Sequence, residues 1–129
     1  MWLSIDNKSS RPIYLQIILQ IKEQLRRGEL KTGDELPSVR ELANSLSINM
    51  HTVRRAYLRL SEQGLLSLRL GRRATIASLP QITNSTENEA EISARLEEVI
   101  TDALLMGLSS SAVHNLLEQQ INNLENAKT

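Results

Sequence analysis

Hydrophobic positions recur at helical spacing along most of the chain. In the first such segment they lie four residues apart, at Ile13, Ile17, Ile21 and Leu25. Pro12 suits a first helical turn and Gly28 suits a helix end, because proline lacks an N–H and glycine tolerates a left-handed backbone. The pattern therefore predicts a helix over residues 12–28. Upstream, Trp2, Leu3 and Ile5 predict a short strand or a cover for the core, in preference to an interface contact.

Two further helices follow with a very short turn between them. Ser38 and Glu41 have the S-x-x-E spacing of a capping box, in front of an apolar face made by Val39, Leu42, Ala43 and Leu46. Only Ser47 and Ile48 separate this helix from Asn49, which is a good N-cap for the next one. The spacing predicts a helix-turn-helix over about residues 39–58.

The second helix of this pair has one apolar stripe and a basic outer face. Its stripe follows the i, i+3, i+4, i+7 spacing, at Val53, Ala56, Tyr57 and Leu60. The polar and basic side chains fall on the remaining circumference, at His51, Thr52, Arg54, Arg55 and Arg59. Taken alone, such a face is most often just a solvated surface. Its place in a helix-turn-helix instead favours contact with DNA.

The period changes after Gly64, which suits a helix end. Leucines alternate with polar residues over 66–70, residues 71–73 supply a turn with two arginines, and residues 74–77 return as a second strand. This predicts a β-hairpin with an arginine tip over about residues 66–77, called the wing below. Residues 80–88 are polar and aperiodic, which predicts a linker.

Residues 89–126 predict two helices separated by Gly107 and the serines at 109–111. Their apolar positions form a helix-packing seam, called the tail seam below: Ile92, Leu96, Val99, Ala103, Met106, Val113, Leu117, Ile121 and Leu124. Two helices of this size are too small to bury such a seam by themselves. The sequence therefore predicts a dimerisation region in which the tail packs against its own copy.

Charge and composition narrow the classes of function. The chain is neutral overall, but residues 1–79 hold 13 lysines and arginines against 7 acidic residues, a net +6, while residues 80–129 hold 2 against 8, a net −6. A basic half joined to an acidic half is typical of a polyanion-binding module with a separate second segment. The absence of cysteine excludes disulfides and zinc fingers and fits a cytoplasmic protein. No apolar run is long enough to span a membrane.

Catalysis has no support in the sequence. No P-loop, nucleophile elbow, zinc-protease motif or dinucleotide fingerprint is present. His114 has no metal-ligand partner at helical spacing, and the adjacent acids Asp34 and Glu35 belong to a turn. We therefore expect no catalytic residue, no metal and no cofactor.

Three motifs carry a resemblance to a known family. They are G-E-L-K-x-G-D-x-L-P-S-x-R-x-L-A, then N-x-x-T-V-x-R-A-Y, and then E-x-G-L-L. In this order and spacing, residues 11–79 resemble the winged helix-turn-helix domain of GntR-family bacterial transcription regulators, and the short acidic tail resembles the YtrA-like subfamily. The resemblance implies a homodimeric regulator, often a repressor, that binds an operator in double-stranded DNA. It leaves the existence of a small-molecule effector open.

The fold expected is mainly α with a small β-hairpin: a winged helix-turn-helix followed by a short helical hairpin. By position, the resemblance and the helical phase together give these candidate DNA-binding residues: Ser38, Arg40, Asn49, His51, Thr52, Arg54, Arg55, Gly71, Arg72 and Arg73. The chain departs from the family pattern at two places. Met50 stands where many relatives have Arg or Pro, so a base contact is expected to be missing, and Arg73 replaces a second wing glycine, which predicts a stiffer or more strongly phosphate-binding tip.

One alternative remains open at this point. A winged helix can serve protein contacts, or belong to a DNA-binding subunit that depends on a second protein. The salt dependence of duplex binding separates these alternatives, because contacts to phosphates release counterions.

Overall fold

The structure is a computed structural model that describes residues 2–78 and 86–126. Helices α1 (Ile13–Arg26), α2 (Val39–Leu46) and α3 (Met50–Glu62) come first, followed by strands β1 (Leu66–Ser67) and β2 (Thr75–Ile76). Helices α4 (Thr86–Leu105) and α5 (Ser110–Asn126) complete the order. The predicted fold class, mainly α with a small hairpin, is confirmed. The chain forms two compact units that divide near residue 80.

Local signals in the sequence set the ends of the helices. The Ser38 hydroxyl accepts from the Glu41 N–H at 3.1 Å, and the Glu41 carboxylate accepts from the Ser38 N–H at 3.4 Å, which completes the capping box. Asn49 caps α3 by accepting from the His51 N–H at 2.8 Å. At the end of α4, the Leu108 N–H donates to the Ala103 carbonyl at 3.1 Å, as the Gly107 stop predicts.

The turn between α2 and α3 depends on one left-handed residue that is not glycine. Ser47 has a φ of 55°, and the Ile48 N–H donates to the Ala43 carbonyl at 3.0 Å. This closes α2 and starts α3 within three residues. The two helices of the predicted helix-turn-helix are therefore joined by a turn of three residues.

One core joins α1, α2, α3 and the wing. The predicted apolar stripe of α3 is fully buried, and it packs with buried residues of the other elements: Ile17, Ile21, Leu36, Leu42, Leu66 and Ile76. Met50 is half-buried and packs against the same core. The Tyr57 hydroxyl donates to the Pro37 carbonyl at 2.7 Å, so the only polar atom of its side chain is paired inside the core.

The wing is paired over fewer residues than the alternation predicts. Leu66 pairs with Ile76 and Ser67 with Thr75 in antiparallel register, and the strands stop there. Beyond Ser67 residues 68–73 are exposed. Neither face of the chain is buried there, so the alternating pattern does not fix the pairing of the strands. In addition, β2 pairs on its other edge with residues 33–36, which was not predicted from the sequence. On that edge the Gly33 N–H donates to the Ile76 carbonyl at 2.8 Å, and the Leu36 N–H donates to the Ala74 carbonyl at 2.9 Å.

A row of glutamines holds the N-terminal segment against α1. The side chains of Gln16 and Gln20 each accept from and donate to the backbone of this segment, at Asp6 and Ser4 respectively. Within this segment Leu3 is buried, whereas Trp2 is 78% exposed. The segment is therefore a cover for the core rather than a strand.

The second unit is a helical hairpin with apolar residues on its surface. α4 begins at Thr86, so the last three residues of the predicted linker are helical, and residues 80–85 lie outside the described part of the chain. The Ser109 hydroxyl accepts from the Ala112 N–H at 3.1 Å at the start of α5. No residue of α5 is buried.

Candidate nucleic-acid interface

The outer face of α3 presents its basic side chains to solvent. His51, Arg54 and Arg55 are exposed, and Thr52 is half-buried at the edge of this face. Among residues 2–78 and 86–126, no carboxylate forms an ion pair with Arg54. Its guanidinium is therefore available to an external acceptor, and a planar five-donor group suits a guanine edge or a phosphate.

Arg55 is held in place by an aromatic ring. Its guanidinium carbon lies 3.9 Å from the centroid of the Tyr14 ring, at the start of α1. A guanidinium stacked on a ring keeps its in-plane N–H groups free for hydrogen bonds. Tyr14 therefore restricts the position of the Arg55 guanidinium without occupying its donors. This contact between α1 and α3 was not predicted from the sequence.

Two of the predicted contact residues also have structural roles. The Ser38 oxygen is the cap of α2 and the Asn49 carbonyl oxygen is the cap of α3. Each keeps a donor, the hydroxyl hydrogen of Ser38 and the amide NH₂ of Asn49, that could still reach a phosphate or base edge. Arg40, on the first turn of α2, is exposed and has no ion-pair partner within the described ranges.

The two departures from the family pattern have structural explanations. Met50 is half-buried and packs against the core. The Arg73 side chain extends from the wing to Glu41 of α2. Its Nη2 lies 3.0 Å from the Glu41 Oε2, and both side chains are about half exposed. Arg73 therefore links the wing to α2, and the stiffer or more strongly phosphate-binding tip stays a prediction.

The tip of the wing remains basic and exposed. Arg69 and Arg72 are exposed, and no carboxylate is paired with either in the described part of the chain. Gly71 has a φ of +72°, a conformation that side chains with a Cβ rarely adopt, so the turn requires glycine there. The wing thus adds two cations beside the basic face of α3.

The tail seam lies largely on the surface of the single chain. Ile92, Leu96, Val99, Met106, Leu117, Ile121 and Leu124 are between 41% and 81% exposed, and Ala103 and Val113 are half-buried. The exposed apolar surface is wider than the predicted tail seam, because Ile100, Leu104 and Leu116 are also exposed. No helix in the described ranges combines the length and the apolar character needed to cross a membrane.

Known proteins match this chain in sequence and in fold. The family described as "Bacterial regulatory proteins, gntR family" matches residues 13–76. The HTH-type transcriptional repressor YtrA of Bacillus subtilis is 37% identical over 117 residues, which cover 91% of this chain and 90% of that protein. The chain belongs to the GntR family. The predicted resemblance to its YtrA-like branch is confirmed by the same relative.

Solved structures extend the likeness of this GntR-family chain. A crystal structure titled as a transcriptional antiterminator from Listeria monocytogenes has a TM-score of 0.74 and 31% identity, over 96% of this chain and 92% of that one. The DNA-binding domain of AraR in complex with operator ORX1 has a TM-score of 0.52 and 25% identity, over 60% of this chain and 96% of that one. The winged helix is therefore the family's DNA-binding fold, and the relatives are transcription regulators rather than enzymes.

Proposed function

We propose that the chain is a transcriptional repressor that binds an inverted-repeat operator in double-stranded DNA as a homodimer. The observation that carries the proposal is the basic face of α3 and the wing, where Arg54, Arg69 and Arg72 are exposed and unpaired with acids in the described residues. The YtrA relative from Bacillus subtilis is a transcriptional repressor. The proposal places the protein in the cytoplasm, where bacterial DNA lies.

The proposal divides the basic residues between bases and phosphates. The first turns of α3 enter the major groove, where His51, Thr52 and Arg54 reach base edges and a bidentate arginine favours guanine. Arg40 on α2 and Arg72 on the wing contact phosphates on either side of that groove. Ser38 and Asn49 add one donor each without losing their roles as caps.

Arg55 and Arg73 have more restricted roles in this proposal. Arg55 presents a fixed guanidinium over Tyr14, which suits one phosphate at a defined position. Arg73 is already paired with Glu41, so it has to leave that carboxylate in order to contact DNA. Gly71 provides the turn that brings the wing tip close to the duplex.

Dimerisation through the tail seam supplies the two-fold symmetry. Burying exposed leucine, isoleucine and valine side chains between two tails contributes about 25 cal/mol for each Å² removed from water. A dimer also makes the second half-site contact intramolecular, which raises avidity by roughly 10²- to 10⁴-fold. The support for this step is the exposure of the seam in the single chain.

The test is the salt dependence of duplex binding by the purified full-length protein. Fluorescence anisotropy on a labelled duplex from 50 to 300 mM salt should give a steep negative slope, because each neutralised phosphate contributes about −0.9 to it. Arg72→Ala should reduce the slope by about 1. Arg27→Ala is the matched control, since Arg27 already pairs with Glu23 at 3.1 Å near the end of α1.

Two results would decide against the proposal. Absence of duplex binding at low salt would point to protein contacts as the use of the winged helix. Binding that appears only after a second protein is added would instead make the chain a dependent subunit.

A further inference from the structure

We propose that a groove between α3 and the wing seats one deoxyribose–phosphate strand, with three leucines packed on its sugars. The inference rests on the proposed function and assigns a role to apolar residues that neither base reading nor phosphate binding uses. The leucines are Leu58, Leu68 and Leu70. The cations beside them are Arg69 and Arg72. Arg54, which the proposed function assigns to a base edge, borders the groove on the α3 side.

The groove is a defined feature of the first unit. Its volume is about 430 Å³, and its wall includes Leu58 of α3 and residues 68–72 of the wing. Leu58 is 48% exposed, Leu68 39% and Leu70 fully exposed. Three leucines with this much surface in water form a cluster, whereas isolated exposed leucines need no explanation.

The charge around the groove selects the occupant. Three arginines line it, and no acidic residue is among the described residues of its wall. A polyanion with apolar faces fits this chemistry, and the backbone of DNA alternates anionic phosphates with deoxyribose rings whose C–H groups are apolar. A neutral or basic peptide would leave the arginines without acceptors.

The position of the groove fits a single strand of the duplex. It lies between α3, assigned to the major groove, and the wing, assigned to phosphates beside it. The phosphates beside the major groove belong to the backbone strand that borders it. With α3 in the groove and the wing outside it, that strand lies between the two protein elements. The leucines would then meet sugars rather than bases, so they add affinity without adding sequence preference.

The apolar contacts and the arginines differ in their dependence on salt. Covering a leucine releases no counterion, so its loss should weaken binding by the same factor at every salt concentration. Removing an arginine from a phosphate should lower the salt slope instead. This difference separates a leucine that packs on DNA from one that only orients an arginine.

The experiment uses the full-length protein with two duplexes: one selected by the wild type from a random library, and one of random sequence. Leu58→Ala, Leu68→Ala and Leu70→Ala should each weaken binding roughly fivefold on both duplexes, from burial of about half a leucine side chain, with the salt slope unchanged. Leu19→Ala is the matched control, because Leu19 of α1 is 37% exposed and lies outside the groove wall. Thermal unfolding checks that each variant is folded.

Each outcome has a distinct meaning. If the wild type binds neither duplex, the proposed function fails. If the wild type binds and all three leucine variants bind equally well, the groove does not hold DNA and this inference alone is overturned. A lower salt slope in the leucine variants, or a loss confined to the selected duplex, would also overturn it, because either result assigns the leucines to arginine placement or base contact.

Discussion

Removing the Tyr57 hydroxyl tests how α3 is tied to the start of α2. Tyr57 is 2% exposed and donates to the Pro37 carbonyl at 2.7 Å, one residue before the cap of α2. Tyr57→Phe keeps the ring and creates no large cavity, but leaves that carbonyl without its partner. The expected cost is about 1 to 2 kcal/mol of unfolding free energy.

Thermal unfolding of the full-length protein measures this cost. For a unit of this size, 1 kcal/mol corresponds to roughly 4 to 8 °C in Tm, so Tyr57→Phe should melt well below the wild type at pH 7. Tyr14→Phe is the matched control. The Tyr14 hydroxyl has no hydrogen bond within the described ranges, so its loss should change stability by less than about 0.5 kcal/mol.

The difference in stability between the wild type and Tyr57→Phe should depend on pH. Burial, with a smaller contribution from the negative charge of Glu41, raises the pKa of Tyr57 well above its usual value. The unfolded chain loses this proton near pH 10 while the folded chain retains it, so the wild type loses stability as pH rises above about 10, at up to 1.4 kcal/mol per pH unit. Phenylalanine has no hydroxyl to ionise, so the variant does not lose stability in this way. The stability gap between wild type and Tyr57→Phe should therefore be full at pH 7–9 and shrink above pH 10.

Two results would refute this reasoning about Tyr57. Equal melting temperatures of Tyr57→Phe and wild type at pH 7 would mean that the hydrogen bond contributes nothing. A gap that stays constant to pH 11 would mean that Tyr57 ionises as easily in the folded chain as in the unfolded one.

Three further predictions concern the basic face of α3 and the wing. Arg54→Ala should cost roughly 1 to 3 kcal/mol on the operator and blur one base position, whereas Arg72→Ala should weaken all duplexes alike; equal loss on operator and random DNA would contradict the role of Arg54. Arg55→Ala and Tyr14→Leu should be non-additive in a double-mutant cycle of affinity, whereas additive losses would exclude positioning by the ring. Glu41→Gln keeps a capping residue but frees Arg73, so amide exchange at residues 71–74 should speed up in the free protein, and unchanged exchange would show that the ion pair does not restrain the wing.

The features that sequence analysis predicted are those set by neighbouring residues. The Ser38–Glu41 box, the Asn49 cap and the stripe of α3 each depend on contacts within one or two helical turns, and each is confirmed. The family motifs then predicted the winged helix, because their order and spacing are compatible with few other folds. The DNA-contacting residues and the dimer seam remain predictions, since they concern molecules outside the single chain.

The features that were missed join residues far apart in the chain. Arg73 and Glu41 are 32 residues apart, and no local pattern distinguishes a wing arginine that pairs with α2 from one that stays free. The same holds for Arg55 over Tyr14, and for the pairing of β2 with residues 33–36. The wing strands were predicted too long because alternation persists in the sequence after the buried face ends.

The most direct test of the central claim is selection of binding sites by the full-length protein. Purified wild type would be mixed with a random duplex library at physiological salt, and the retained duplexes sequenced. A homodimer should select an inverted repeat whose half-site centres lie about one helical turn, or a multiple of it, apart on one face of the DNA. Recovery of single, unpaired half-sites, or of no sequence preference at all, would contradict a homodimeric operator-binding repressor.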